Sequence, residues 1–137
     1  MRVVLDTNVW LSAIFWEGEA NRIAELGEKK EFKIIITQEI IEEIINVLNK
    51  ELKFDGLLEN KKLKIEDLVK TLLYISELIT TKSKIKAVKD DETDNKFLEA
   101  AVDGNADLII SYDKHLLNLK SFRKIRIVRP SEFLKTY

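Results

Sequence analysis

At 137 residues the chain is long enough for one domain with a single core, and its 45% hydrophobic and 34% charged residues suit a protein that folds and stays in solution. A net charge of −1 argues against a globally basic nucleic-acid binder, although 23 Lys and Arg leave room for a local basic groove. No Cys and a single His, His115, exclude disulfides, thiolate metal sites and a histidine-rich zinc site, so any metal would be a hard, oxygen-ligated ion such as Mg²⁺, Mn²⁺ or Ca²⁺.

Residues 2–5 read as a first strand, "RVVL", which stops at the polar "DTN". Helices are expected over 9–15 and 20–28, on either side of Gly18, and a second strand over 32–36. Thr37 is a suitable N-cap for a helix over 38–52. A helix over 65–78 follows, with Glu66 and Asp67 in its first turn, and 79–87 is ambiguous with room for a short strand. The spacing then predicts a helix over 93–103 ended by Gly104, a strand within 107–111 and a short helix over 114–119. A last strand over 125–128 and a short helix over 131–135 complete the chain. No linker or repeat divides it, so residues 1–137 are read as a single domain. Apolar runs fall short of a membrane span, and Asp6 interrupts any signal-peptide core, which together point to a cytoplasmic protein without membrane association.

Strands alternating with helices imply a parallel sheet, whose functional crevice lies beyond the carboxyl ends of its strands. Asp6 follows the first strand and Asp113 follows Leu108–Ile110, so both should emerge at that edge. Helical phase selects two more acids. In "DNKFLEAA", Asp94 shares the stripe of Phe97, Leu98 and Ala101. In "TQEIIEEIINVL", Glu43 borders the apolar arc beside Val47, while Glu42 falls opposite it. Each acid alone also has a plain structural reading. Asp6 and Asp113 suit a cap and a turn, Glu43 a solvated helix position, and Asp94 a partner of the helix dipole. Four acids at one sheet edge repel one another, however, and call for cations. Mg²⁺ or Mn²⁺ is the natural occupant, able to activate water and to offset phosphate charge in an in-line displacement.

"VVLDTNVWLSAIF", "TQEIIEEIINVL", "DDETDNKFLEAAVDGNADLIISYDKHLLNL" and "IRIVRPSEFL", in that order, resemble the PIN-domain family, most closely its small VapC-like members, the toxins of type II toxin–antitoxin pairs. The resemblance covers nearly the whole chain. It implies a three-layer α/β/α sandwich with a central, mainly parallel sheet, and a divalent-metal-dependent endoribonuclease that hydrolyses RNA phosphodiester bonds with metal-activated water. By motif, Asp6, Glu43, Asp94 and Asp113 correspond to the metal-binding and catalytic acids, with Asn8 and Ser111 in supporting positions. It further implies Mg²⁺ or Mn²⁺ as cofactor, RNA as substrate, a cognate antitoxin as partner, and a homodimer. Tyr112 departs from the Gly common before the last acid, and Asp91 stands close enough to Asp94 to assist or replace it. A non-catalytic PIN module that binds metal or protein is the alternative. Phosphotransfer through an aspartyl nucleophile at Asp6 is a further reading, but haloacid-dehalogenase-like enzymes usually carry a second acid where this chain has Asn8.

Basic residues near the last acid in sequence, Lys114, Lys120, Arg123, Lys124 and Arg126, are expected to rim the groove and bind phosphate, or else to form a solvated face. His115 is read as exposed or lightly packed, with a general-base role at the substrate as the lesser alternative. Trp10, Phe15 and Trp16 are read as core or a subunit contact.

Overall fold

A computed structural model describes residues 1–88 and 94–137. The chain runs β1 (Arg2–Leu5), α1 (Thr7–Phe15), α2 (Glu19–Glu28), β2 (Lys33–Thr37), α3 (Gln38–Lys50), α4 (Leu52–Asn60), α5 (Ile65–Ile75) and β3 (Ser76–Ile79). It continues through α6 (Asn95–Asp103), β4 (Leu108–Ile110), α7 (Lys114–Leu117), β5 (Ser121–Phe122), β6 (Ile125–Val128) and α8 (Pro130–Thr136). The strands form one sheet in the order β3-β2-β1-β4-β6-β5, parallel throughout except for the edge pair β5–β6.

The central strands are apolar runs because both of their faces are covered. Val3, Val4, Leu5, Ile34, Ile35, Ile36, Ile109 and Ile110 are fully buried. Neighbouring residues of β2 point to opposite faces. On the face of Ile34, α2 approaches so closely that a Cβ on Gly27 would lie 2.4 Å from the Ile34 Cδ1. On the face of Ile35, α6 ends against the sheet, where a Cβ on Gly104 would lie 2.7 Å from both the Ile35 Cγ2 and the Ala100 carbonyl oxygen. Helices thus cover both faces, giving the α/β/α layering. Gly104 is required by this approach and not by the turn, since its φ is −88° and the left-handed residue is Asn105, at φ 53°.

Several boundaries differ from those the sequence predicts. The helix expected over 38–52 ends at Lys50, and a separate α4 follows. Its Phe54 is buried against Phe15, with ring centroids 5.3 Å apart. The helix expected over 65–78 stops at Ile75, where the Ser76 hydroxyl bonds back to the Leu72 carbonyl and the chain turns directly into β3. That strand pairs along β2 from Ile34–Ser76 to Thr37–Ile79, meeting the ambiguous 79–87 region only at Ile79. Trp10 and Phe15 join the core, while Trp16 stays 47% exposed and packs edge-on against Phe15 and Phe54.

Candidate functional site

Asp6 leaves the carboxyl end of β1 and caps α1, its Oδ1 accepting the Val9 N–H at 2.8 Å. Its Oδ2 accepts the Ser111 hydroxyl and the Tyr112 N–H, the latter at 3.1 Å. The backbone ladder makes this possible. The Asp6 N–H reaches the Ile110 carbonyl and the Ser111 N–H the Val128 carbonyl, so the ends of β1, β4 and β6 stay in register. Ser111 is fully buried, and its Oγ also accepts the Asp113 N–H at 2.8 Å. One hydroxyl therefore links two of the acids. Asp113 in turn caps α7 through the His115 N–H, at 2.7 Å.

Burial raises the Asp6 pKa above its ordinary value; the bonds from Ser111, Val9 and Tyr112 oppose that rise, and the Asp113 charge adds to it. Desolvation wins because neutral donors orient a buried carboxylate but do not cancel its charge.

Glu43 reaches the site from α3. It is half-buried, while Glu42 beside it is exposed and bonded by Gln38, as helical phase predicts. Glu43 accepts the Thr7 hydroxyl and pairs with Lys96 of α6 at 3.1 Å, the two charged side chains being 21% and 23% exposed. Asp94 precedes α6 and is buried together with Phe97, Leu98 and Ala101, the stripe on which its phase places it.

Asp6, Glu43, Asp94 and Asp113 all line one open cleft of about 180 Å³, with Thr7 and Asn8 beside them and Val47 and Phe97 as its apolar lining. A larger concavity of about 600 Å³, among Arg2, Lys33 and Glu77, lies at the amino ends of the strands; convergence of acids, and not size, singles out the smaller one. Among the described residues no three acidic or His side chains already stand as a metal-binding group. Glu43 is drawn to Lys96 instead. In kind, the donor set still fits a hard divalent cation: every titratable lining group is a carboxylate, and two of them, Asp6 and Asp94, are more than nine-tenths buried.

Asn8 is exposed in the cleft, and Ser111 lies beneath it. Asp91 lies outside the described residues, as does Thr93. The imidazole of His115 and the ring of Tyr112 are not part of the cleft lining. Thr7 and Lys96 are contributors that the sequence reading misses; adjacency to Asp6 and Asp94 was their only signal.

The expected basic rim needs correction at Arg123, Lys124 and Arg126, whereas Lys114 opens α7 directly after Asp113. β6 runs parallel to β4, so the chain after Asp113 must return to the amino end of the sheet before β6 begins. The β5–β6 hairpin, with Arg123 and Lys124 at its turn and Arg126 opposite Leu108, therefore sits at the edge away from the acids. Lys120 leads into that hairpin, and Arg123 stacks over Phe122 at 4.9 Å.

A mostly parallel sheet between helical layers, with acids gathered at its carboxyl edge, is a PIN-like α/β/α fold. The chain belongs to the PIN domain family, whose sequence profile matches residues 2–115 and so spans all four acids. PIN domains are generally nucleases that act on nucleic acids and typically use divalent metals. No curated protein is similar enough to the chain to count as a match. Among the described residues no helix is long and apolar enough to cross a membrane.

Proposed function

We propose that this PIN domain is a Mg²⁺- or Mn²⁺-dependent endoribonuclease, acting as a single domain over residues 1–137. The observation that carries the proposal is the convergence of Asp6, Glu43, Asp94 and Asp113, from four separate elements, on one cleft. Asp6, Asp94 and Asp113 would hold the cation, joined by Glu43 once Lys96 yields it. A cation held there would lower the pKa of a coordinated water and offset charge on the phosphate. Ser111 and the Val9 and Tyr112 N–H groups keep Asp6 in place without neutralising it. Asn8, exposed in the cleft, carries an amide able to donate to a phosphate oxygen. The likeness of the motifs to VapC-like proteins supports a cytoplasmic toxin, dimeric and silenced by a cognate antitoxin.

The alternative, a non-catalytic module, draws on one observation: Glu43 is already paired with Lys96. Purified, partner-free protein incubated with a mixed-sequence fluorogenic RNA in Mn²⁺, in Mg²⁺ and in chelator separates the two readings, with a folded Asp94→Asn variant alongside. Metal-dependent cleavage that disappears in the variant supports the nuclease. Absence of cleavage with metal demonstrably bound favours the module.

A further inference from the structure

Beyond β3 the chain does not leave the protein surface; it is fastened along α6. The Asp103 carboxylate accepts the Lys82 and Ser83 N–H groups at 2.6 and 2.8 Å and the Ser83 hydroxyl at 2.5 Å. Glu99 accepts the Ile85 N–H at 2.9 Å, and the Asn95 side chain both accepts the Val88 N–H and donates to its carbonyl. Asp103, Glu99 and Asn95 are four residues apart, one stripe of the helix. The segment therefore runs as a strap along α6, from its carboxyl end towards its amino end, where Asp94 and the acid cleft lie. From Ser83 to Val88 an extended chain covers at most about 17 Å. From Asp103 to Asn95 the helix covers about 12 Å. The strap is accordingly drawn out along the helix at less than full extension.

Its side chains alternate. Ile85 turns inward and Ser83 is half-buried, whereas Lys82, Lys84 and Lys86 are exposed. These three line a groove of about 480 Å³ together with Lys96, whose ammonium group reaches Glu43 of the acid cleft. Glu39 and Glu99 are the acids of that lining, and Glu99 is committed to the strap backbone. Among the described residues no salt bridge ties up Lys82, Lys84 or Lys86.

We propose that this groove binds the phosphodiester backbone of single-stranded RNA and leads it to the acid cleft, with Lys82, Lys84 and Lys86 meeting successive phosphates. Alternate residues of an extended chain are at most about 6.6 Å apart, so lysines two residues apart on the strap stand within reach of neighbouring phosphates of one strand. A protein partner would need an apolar or aromatic anchor. The groove offers only Ile85, which is buried. With no aromatic lining it does not stack bases, so the contact is to phosphates and independent of sequence.

The inference rests on the nuclease reading of the cleft, and the experiment keeps the two apart. Binding of a short, labelled, mixed-sequence single-stranded RNA is measured by anisotropy in chelator across a salt series, while cleavage by the wild-type protein in Mn²⁺ is followed separately. The triple variant Lys82→Ala/Lys84→Ala/Lys86→Ala should bind at least about tenfold more weakly at low salt. Its log–log salt dependence should flatten by about two units, roughly 0.7 for each lost phosphate contact. The equally discharged control Lys50→Ala/Lys61→Ala/Lys64→Ala, at exposed positions outside the groove, should follow the wild type. A wild-type protein that does not bind this RNA, or a triple variant with the wild-type slope, overturns the proposal whether or not cleavage is seen.

Discussion

Asp6 and Glu43 line the same cleft and are held in different ways. Asp6 is buried and receives three uncharged donors, from Val9, Ser111 and Tyr112. Glu43 is half-buried and receives the Thr7 hydroxyl and the Lys96 ammonium. Neutral donors fix a carboxylate and leave its charge to act on whatever enters the cleft; an ammonium fixes it and cancels the charge. The described donors thus leave the charge at the Asp6 corner in place, whereas at the Glu43 corner Lys96 offsets it.

The contrast can be broken most severely at its charged centre. Asp6→Asn and Asp94→Asn should each reduce metal-dependent RNA cleavage at least about a thousandfold, as expected when an electrostatic contribution of roughly 4 kcal/mol is lost. A steady-state cleavage assay on folded variants checks this. Ser111→Ala comes next. It leaves the acids in place but removes one of the three donors to Asp6 and deprives the Asp113 N–H of its acceptor. Metal affinity should fall about 10- to 100-fold, as for other residues that orient a ligand, and stability by about 1–3 kcal/mol; calorimetric titration and denaturant melts read the two effects.

Lys96→Met should act in the opposite direction. Removing the ammonium frees Glu43, so Mn²⁺ should bind up to about fivefold more tightly, the roughly 1 kcal/mol of a partly exposed ion pair. Calorimetry against wild type would sharpen the comparison, and weaker binding would show that Lys96 supports the cation site.

The smallest effect is one of pH. Because burial raises the Asp6 pKa, its contribution to stability is full below the ordinary value of 3.8 and is lost as pH rises through the raised folded value. Asp103 at the strap runs the other way: the Ser83 bonds lower its pKa, and its contribution is lost as pH falls through that lowered value. The Asp6 part is therefore read as a difference. In chelator, wild type should gain more in Tm than Asp6→Asn when the pH is lowered from neutrality through the raised Asp6 pKa towards 3.8.

Where the chain buries both faces of a strand, the sequence was legible: "VVL", "III" and "LII" are apolar runs that read as central strands. Asp6 and Asp113 were legible because polar residues end such runs, and Glu43 and Asp94 because helical phase puts them on or beside apolar stripes. Periodicity failed where two elements share it. Leu72 and Ile75 of α5 continue smoothly into "SELI", and only the parallel pairing with β2 makes that stretch a strand. The α4 helix has scattered apolar positions and a central Gly56, so nothing marked it before Phe54 met Phe15. Thr7 and Lys96 were invisible because Glu43, their partner, lies 36 and 53 residues away in sequence. The misplaced basic rim has the converse cause: sequence proximity to Asp113 means little when a parallel strand must start from the far edge of the sheet.

Cation binding by these acids is decided by titrating Mn²⁺ into metal-free protein and following the free ion by electron paramagnetic resonance. Wild type should show saturable loss of the free-ion signal, whereas the signal should persist with folded Asp6→Asn and Asp94→Asn. Equal Mn²⁺ uptake by all three proteins would contradict binding at these acids.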